Sequence, residues 1–178
     1  MVSAQHSASS RRSRTSSPVP FRTIRPVASA ASNGCAKKVQ AVAALHPQAI
    51  VIGSDQVADL DGQAIGKPGT HERAVAQLQA MRGRSVVFQT AVAVVRPATG
   101  FAQTLMAPVA VRFRALSDPA IERYLRLEQP YDCAGSAKSE GLGIALLESI
   151  ASDDPTALVG LPLIRTCRML RAAGLRVI

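Results

Sequence analysis

The chain has 178 residues, of which 47% are hydrophobic and only 3% aromatic, and its formal net charge at pH 7 is +9. This length suits one domain with a core of its own and leaves no room for a second full domain. The shortage of aromatic side chains argues against a nucleic-acid surface that works by base stacking. No apolar stretch reaches the roughly 18 to 20 uncharged residues of a transmembrane helix, so the sequence predicts no membrane span.

Positive charge is concentrated in the first third of the chain. Seven of the 21 Lys and Arg residues precede Asp55, whereas none of the 12 Asp and Glu residues does. The remainder is nearly neutral, so the high isoelectric point does not indicate specific nucleic-acid binding. The three cysteines, Cys35, Cys133 and Cys167, have no metal-site spacing, which favours reduced thiols and a cytoplasmic protein.

Residues 1–36 form a leader that differs in composition from residues 37–178. The leader is rich in Ser and Arg and has no acidic residue, a composition typical of disorder. A transit peptide is one alternative, although Pro18, Pro20 and Pro26 would interrupt its helix. A basic tail that attracts phosphate is another, and a non-native N-terminus is a third. Such a tail would bind nucleic acid through Arg11, Arg12, Arg14, Arg22 and Arg25, and this binding would fall steeply with salt and vanish on deletion of residues 1–36.

The body begins with a predicted helix and strand. The Ala-rich segment 37–45 favours a helix that ends before Pro47. The run Ala49 to Gly53 is typical of a short strand buried on both faces. Asp61 and Gly62 then predict a two-residue hairpin turn, because both positions of a type I′ turn need positive φ.

Thr70 is a candidate N-cap for a helix that runs to Met81 and stops at Gly83. The β-branched segment 85–95 and the extended segment 101–116 flank a Pro-Ala-Thr-Gly turn, which predicts a long hairpin.

Two more helices follow, each preceded by a proline signal. Ser117-Asp118-Pro119 opens the first, and Pro162 opens the last, with Leu163, Cys167 and Leu170 as its expected apolar stripe. Helices interspersed with strands and hairpins predict an α/β fold with a mixed twisted sheet flanked by helices.

Three segments carry residues suited to chemistry. Asp55 follows an apolar run and would project from the carboxyl end of a strand, where open α/β sheets form ligand crevices. The alternative is a turn or cap residue. Lys67, between Gly66 and Pro68, could reach an anion from a rigid loop, or could be an ordinary surface lysine.

The third segment, 132–144, has three glycines, Lys138 and Glu140. Small residues would allow the backbone close to a ligand, and the two charged side chains could then bind opposite charges on it. The spacing of a Walker phosphate loop is missing, and a solvated loop is the alternative.

Together, IGSDQVADLDG with GKP, YDCAGSAKSEGLG and DPTALVGLP resemble the Maf family of nucleoside triphosphate pyrophosphatases. The resemblance runs from about Lys38 to the C-terminus and is closest to the branch that hydrolyses 7-methyl-GTP. CAGSAKSEG is its most specific part, because the branches that act on dTTP and UTP carry an aromatic residue and Gln in place of Lys138 and Glu140. The resemblance implies a nucleotide cleft in the α/β fold.

The resemblance also implies roles for individual residues. Asp55 matches the catalytic aspartate, a proton acceptor that activates water. Gln56 and Glu140 match positions linked to the choice of base, and Lys38 and Lys67 match lysines that face the triphosphate. Lys138 lies in the same substrate-binding loop as Glu140.

The chemistry of guanine agrees with a carboxylate at position 140. Guanine presents two neighbouring donors, N1–H and the N2 amino group, which a carboxylate can accept in parallel, and N7 methylation adds positive charge. Thymine and uracil offer no such pair. The resemblance further implies a divalent cation (Mg or Mn) with unidentified ligands, a cytoplasmic homodimer, and no membrane or specific nucleic-acid partner.

The leader departs from the family. Relatives begin with a strand, an SxSxxRRxxLL loop and an acidic VDE stretch, and only residues 6–12 partly resemble that loop. We therefore expect that residues 1–36 come from a shifted reading frame, a misassigned start or decay, which would leave the N-terminal part of the fold defective. Two alternatives to 7-methyl-GTP hydrolysis remain open: action on dTTP or UTP, and a catalytically impaired relative that only binds nucleotides or partners.

Overall fold

A computed structural model describes residues 26–178 of the chain. Its helices are α1 (Pro26–Leu45), α2 (His71–Met81), α3 (Asp118–Glu128) and α4 (Leu163–Ala172). Its strands are β1 (Val51–Leu60), β2 (Gln63–Ile65), β3 (Ser85–Arg96), β4 (Phe101–Phe113) and β5 (Leu147–Ala151). Short 3-10 turns lie at Pro97–Thr99, Ala134–Ser136, Leu142–Leu146 and Pro155–Val159. Within the described range, no helix combines the length and hydropathy needed to cross a bilayer.

The five strands form one sheet in the order β2-β1-β3-β4-β5. The predicted α/β fold is confirmed, and every strand pair in residues 26–178 is antiparallel rather than mixed. Hairpins explain this arrangement, because they join β1 to β2 and β3 to β4. Asp61 and Gly62 have φ values of 53° and 90°, as the predicted hairpin turn requires.

Helix α1 covers one face of the sheet. Its side chains at four-residue spacing, Ala31, Cys35 and Val39, are buried against Ala91 and Ala93 of β3. The helix begins at Pro26, so the predicted helix start at residue 37 is wrong and residues 26–36 are helical. Proline is compatible with the first turn of a helix. The composition of residues 1–36 as a whole gave no sign that the last part of this leader is helical. The predicted disorder of residues 1–25 lies outside the described residues.

Helices α2 and α3 pack on the opposite face. Leu78 and Met81 of α2 and Ile121 and Leu125 of α3 are completely buried with Phe113 of β4. The predicted N-cap of α2 is confirmed, because Thr70 Oγ1 accepts the backbone N–H of Arg73 at 3.4 Å.

Helix α4 buries a different stripe from the predicted one. Thr166 and Met169 are its buried residues, whereas Leu163 is 46% exposed. Met169 packs with Val92 and Val94 of β3. Of the predicted stripe Leu163, Cys167 and Leu170, Leu170 packs against this cluster, whereas Leu163 is wrong. Thr166 can be buried because its hydroxyl donates to the Pro162 carbonyl at 2.7 Å.

Strand β1 is longer than the apolar run that predicted it. The strand continues through Ser54, Asp55 and Gln56 to Leu60, so Asp55 lies in the middle of the strand and not at its carboxyl end. The predicted burial on both faces is also wrong, because Ile52 is 42% exposed. Polar residues persist in this strand because partners on both faces of the sheet take up their hydrogen bonds.

Candidate active site

Asp55 lies on the face of the sheet that α1 covers, opposite Ala91 of β3 in the strand register. Its Oδ2 lies 3.4 Å from the Nζ atom of Lys38 in α1, and its Oδ1 accepts the backbone N–H of Gln56 at 3.1 Å. The Asp55 side chain is 29% exposed, so water and a ligand can reach it. The structure therefore brings together the predicted catalytic aspartate and one predicted triphosphate lysine.

Glycines let the helix come close to this carboxylate. A Cβ atom at Gly34, one turn before Lys38 in α1, would overlap Oδ2 of Asp55. A Cβ atom at Gly53 would overlap the side chain of Val39. The Cys35 thiol donates to the Gly53 carbonyl at 3.1 Å, and burial raises the pKa of this thiol. Gly34 is thus a site residue that the sequence analysis missed.

Gln56 points to the opposite face of β1 from Asp55, as successive residues of a strand must. Its Nε2 donates to Thr90 Oγ1 at 2.9 Å and to the carbonyls of Ala157 and Leu158 at 2.8 and 3.1 Å. The side chain is held by the DPTALVGLP segment, which explains one structural use of that motif. The structure does not place the Gln56 amide beside the Asp55 carboxylate.

Lys67 lies in the exposed loop after β2, and this loop is fastened to the segment that contains CAGS. The Gly66 carbonyl accepts the N–H of Gly135 at 3.3 Å, and Gly69 donates to the Tyr131 carbonyl at 2.9 Å. Gln77 of α2 strengthens the junction, because its Nε2 donates to Gly66 and its Oε1 accepts the Ser136 hydroxyl. The Lys67 loop and segment 132–144, which carries Glu140, are therefore neighbours.

Lys138 and Glu140 differ in their surroundings. The Nζ atom of Lys138 lies 3.1 Å from Oε1 of Glu128, the last residue of α3. Glu140 is exposed, and its nearest polar contact in the described chain is the Ser139 hydroxyl at 3.5 Å. The Lys138 charge is thus neutralised within the protein, whereas Glu140 remains available to a ligand. Glu128 carried no signal in the sequence beyond its place at the end of a helix.

The described residues offer few ligands for a metal ion. Among them, no group of three His, Cys, Asp or Glu side chains lies close enough together to hold one. Asp55 is a lone partly exposed carboxylate next to a lysine. Mg²⁺ is often bound by one or two carboxylates together with substrate phosphates and water. This donor set therefore fits a cation held mainly by a triphosphate and does not fit an all-protein cage.

The cysteines are free thiols, and one of them lies in the same segment as Glu140. All three are free, as the sequence analysis expected. Burial, followed by the neighbouring Asp132 side chain, raises the pKa of Cys133 to about 11. Cys133, which lies in segment 132–144, is therefore a neutral thiol near pH 7.

A cavity of about 610 Å³ lies apart from Asp55, between α3 and the 3-10 turn Leu142–Leu146. Leu116, Leu142 and Leu146 contribute apolar walls, and Arg114 and Arg123 contribute positive charge. It contains neither the Asp55–Lys38 pair nor Glu140, so its volume does not define the catalytic site.

Comparison with known proteins identifies the family. Residues 7–173 match the Maf-like protein family. The chain is 72% identical over 141 residues to a 7-methyl-GTP pyrophosphatase of Albidiferax ferrireducens, which covers 79% of this chain and 71% of that protein. A 7-methyl-GTP pyrophosphatase of Polaromonas is 73% identical over 77% of this chain, but only 63% of that protein is spanned. One from Aromatoleum aromaticum is 54% identical, with 88% of this chain and 87% of that protein covered. The chain belongs to the Maf-like protein family.

Proposed function

We propose that this protein hydrolyses 7-methyl-GTP to 7-methyl-GMP and pyrophosphate. The observation that carries the proposal is the Asp55 carboxylate, held partly exposed at 3.4 Å from the Lys38 ammonium in a chain of the Maf-like family. The relatives named 7-methyl-GTP pyrophosphatase support this choice of nucleotide. Glu140, exposed and in no direct ion pair within residues 26–178, supports it from the chemistry of the base.

Asp55 would orient a water molecule and accept its proton while the water attacks phosphorus. A general base of this kind contributes about 10²- to 10⁴-fold to a rate. The second oxygen of the carboxylate is held by the Gln56 N–H, which fixes the orientation of the group. The Lys38 ammonium lies 3.4 Å from Oδ2 of Asp55. When substrate binds, it would leave this oxygen and bind a phosphate oxygen instead.

Lys67 would supply a second positive charge to the triphosphate from its exposed loop. A divalent cation, Mg²⁺ or Mn²⁺, would when bound offset the negative charge of the phosphates, with Asp55 as its protein carboxylate. Hydrolysis between the α- and β-phosphates gives a monophosphate and pyrophosphate, so no covalent enzyme intermediate is required.

Glu140 would select the base. Its two oxygens can accept N1–H and the N2 amino group of guanine in parallel, and its charge favours the cationic 7-methyl ring over an uncharged one. The proposal includes a cytoplasmic nucleotide pool as the source of substrate and a homodimer as the working form.

The test is pyrophosphate release by the full chain with Mg²⁺ or Mn²⁺ and a panel of 7-methyl-GTP, GTP, dTTP and UTP. We expect preference for 7-methyl-GTP and a loss of about 10²- to 10⁴-fold in Asp55→Asn. Asp61→Asn is the matched control, because Asp61 is an exposed turn residue after the same strand and Asn tolerates its positive φ.

Turnover that survives Asp55→Asn would contradict the role of Asp55. Preference for UTP or dTTP would contradict the role of Glu140. A folded protein that turns over none of the four nucleotides would favour the catalytically impaired alternative.

A further inference from the structure

The loop that presents Glu140 is attached to α3 at two residues. The Glu128 side chain is only 11% exposed although it stands at the end of the helix. Its Oε2 accepts the backbone N–H of Leu142 at 2.7 Å, while its Oε1 forms the ion pair with Lys138. One turn earlier, the Tyr124 hydroxyl accepts the backbone N–H of Lys138 at 3.0 Å. Both sides of Glu140 are therefore fastened to the same helix.

The loop also closes on itself around Lys138. The Lys138 carbonyl accepts the N–H groups of Gly141 at 3.1 Å and Gly143 at 3.0 Å. A Cβ atom at Gly141 would lie 2.6 and 2.7 Å from the two Glu128 carboxylate oxygens. A Cβ atom at Gly143 would lie 2.6 Å from the backbone nitrogen of Lys138. The glycines of the loop are thus needed for its tight contact with Glu128 and with its own backbone.

Each polar group of Lys138 contacts another group of the protein. Its N–H, its carbonyl and its ammonium group bind Tyr124, the two glycines and Glu128 respectively. Glu140, two residues further on, is exposed, and its one hydrogen bond within residues 26–178 is the long contact with Ser139. This division of roles makes Lys138 part of the support and Glu140 the group that is presented.

We propose that Glu128 is a positioning residue that sets the base preference of the enzyme by holding residues 138–143, and through them Glu140, in one geometry. The inference rests on the proposed function. Lys138 acts in it as the partner of Glu128 and not as a phosphate ligand.

The charge state of the support agrees with this role. The Leu142 N–H and then the Lys138 ammonium lower the pKa of Glu128, and Glu128 raises the pKa of Lys138. Both groups are consequently charged at neutral pH, where their ion pair and the hydrogen bond to Leu142 coexist.

The experiment compares wild type, Glu128→Gln, Lys138→Met and the double variant in the full chain, with kcat and KM measured for 7-methyl-GTP and UTP. Glu128→Gln keeps the shape of the side chain but removes its charge. We expect the preference for 7-methyl-GTP over UTP to fall about tenfold or more, through KM, while kcat for 7-methyl-GTP changes less than about threefold. Glu122→Gln is the matched control, because it breaks the contacts of an α3 carboxylate with His71 and Arg126 and leaves the loop intact.

The double variant separates support from substrate binding. If Lys138 works through Glu128, the KM of the double variant for 7-methyl-GTP will be less than about twofold higher than that of Glu128→Gln alone. Full additivity would show that Lys138 contacts the triphosphate directly and would overturn the inference. Amide exchange of Leu142 gives a readout without activity: we expect it to accelerate at least about tenfold in Glu128→Gln and to stay unchanged in Glu122→Gln.

The outcomes also distinguish this inference from the proposed function. A wild-type enzyme without preference for 7-methyl-GTP would defeat both. A wild-type preference that Glu128→Gln retains, with the variant folded, would overturn only the positioning role.

Discussion

The described residues include two lysine–carboxylate pairs whose surroundings differ. On the α1 face, the side chains of Lys38 and Asp55 are 67% and 29% exposed and form one ion pair, and Gly34 lies close to the Asp55 carboxylate. At the end of α3, Lys138 and Glu128 are 41% and 11% exposed. There the carboxylate also accepts a backbone N–H, and the lysine backbone is fastened at three further points. We therefore expect the first pair to open when a substrate binds and the second to act as part of the scaffold.

The comparison teaches that a lysine beside a carboxylate has no fixed meaning. A resemblance in sequence places Lys38, Lys67 and Lys138 together as substrate-binding residues. The geometry gives Lys38 a partly exposed partner with few other contacts and Lys138 a well-anchored one. Exposed ion pairs contribute about 0 to 1 kcal/mol, so Lys38 can be released to a phosphate at little cost.

The sharpest way to break the comparison is Gly34→Ala. The new Cβ atom would overlap Asp55 Oδ2 and displace the carboxylate, while alanine is favoured over glycine in a helix by about 0.5 to 1 kcal/mol. We expect activity to fall about 100-fold, the size of effect that a displacement of about 1 Å can produce. Steady-state turnover and thermal unfolding measure the two quantities.

Asn33→Ala is the control for that variant, since Asn33 is exposed on the same helix and its replacement also favours helix. If Gly34→Ala retained wild-type turnover, the close contact between α1 and Asp55 would have no catalytic importance.

Lys38→Met sharpens the open side of the comparison. Removal of the charge should raise KM for 7-methyl-GTP about tenfold, because hydrogen bonds to charged groups are worth about 1.5 to 3 kcal/mol. The melting temperature should change little, since the pair is exposed. Lys37→Met, the neighbouring exposed lysine of α1, should leave both quantities unchanged. Equal effects of the two variants would point to general electrostatic attraction rather than to a contact of Lys38.

Tyr124→Phe tests the closed side. Tyr124 is 5% exposed, so loss of its hydroxyl leaves the Lys138 N–H without its partner, at a cost of about 1 to 3 kcal/mol. Chemical denaturation should show this loss in the free energy of unfolding. Tyr131→Phe, which removes hydrogen bonds to His71 and the Leu125 carbonyl, should be equally destabilising but should not accelerate amide exchange in residues 138–143. Fast exchange in both variants would argue against a specific role of Tyr124.

The smallest expected effect is the pH dependence of the support. The pKa of Glu128 is lower in the folded chain than its ordinary value of 4.5, so the unfolded chain binds more protons just below pH 4.5. The contribution of the ionised carboxylate to stability is therefore present above pH 4.5 and is lost as the pH falls through the folded pKa. Denaturation of wild type and Glu128→Gln from pH 7 to about pH 3 should show the difference between them shrinking with acidity. A constant difference would mean that the Glu128 charge does not contribute.

Local signals were sufficient for much of the fold. Asp61-Gly62, Thr70 and the prolines near residues 119 and 162 fix turns and helix starts through their own φ values, missing N–H groups or side-chain oxygens, so these elements could be predicted. Long-range contacts decide the rest. The face of α4 that is buried depends on the packing of Met169 against Val92 and Val94 of β3, and the length of β1 depends on the strands that pair with it.

The site shows the same division. Asp55 and Glu140 could be singled out because the surrounding motif is specific. Gly34 and Glu128 could not, because their importance comes from contacts across 21 and 14 positions of sequence, with Asp55 and Leu142. A glycine inside an Ala-rich helix and a glutamate at a helix end have no distinctive pattern of their own.

The alternation of side chains along β1 also limits where residues can be inserted into or deleted from the chain. Asp55 faces α1 and Gln56 faces the carbonyls of Ala157 and Leu158, and the pairing of β1 with β3 spans Val51 to Asp59. One deleted codon upstream of Asp55 within this strand would move both side chains to the opposite faces, leaving the Gln56 amide beside Lys38 and the Asp55 carboxylate on the side of the carbonyl groups. Natural insertions and deletions should therefore accumulate at the turn Pro97–Gly100, where they leave this alternation untouched.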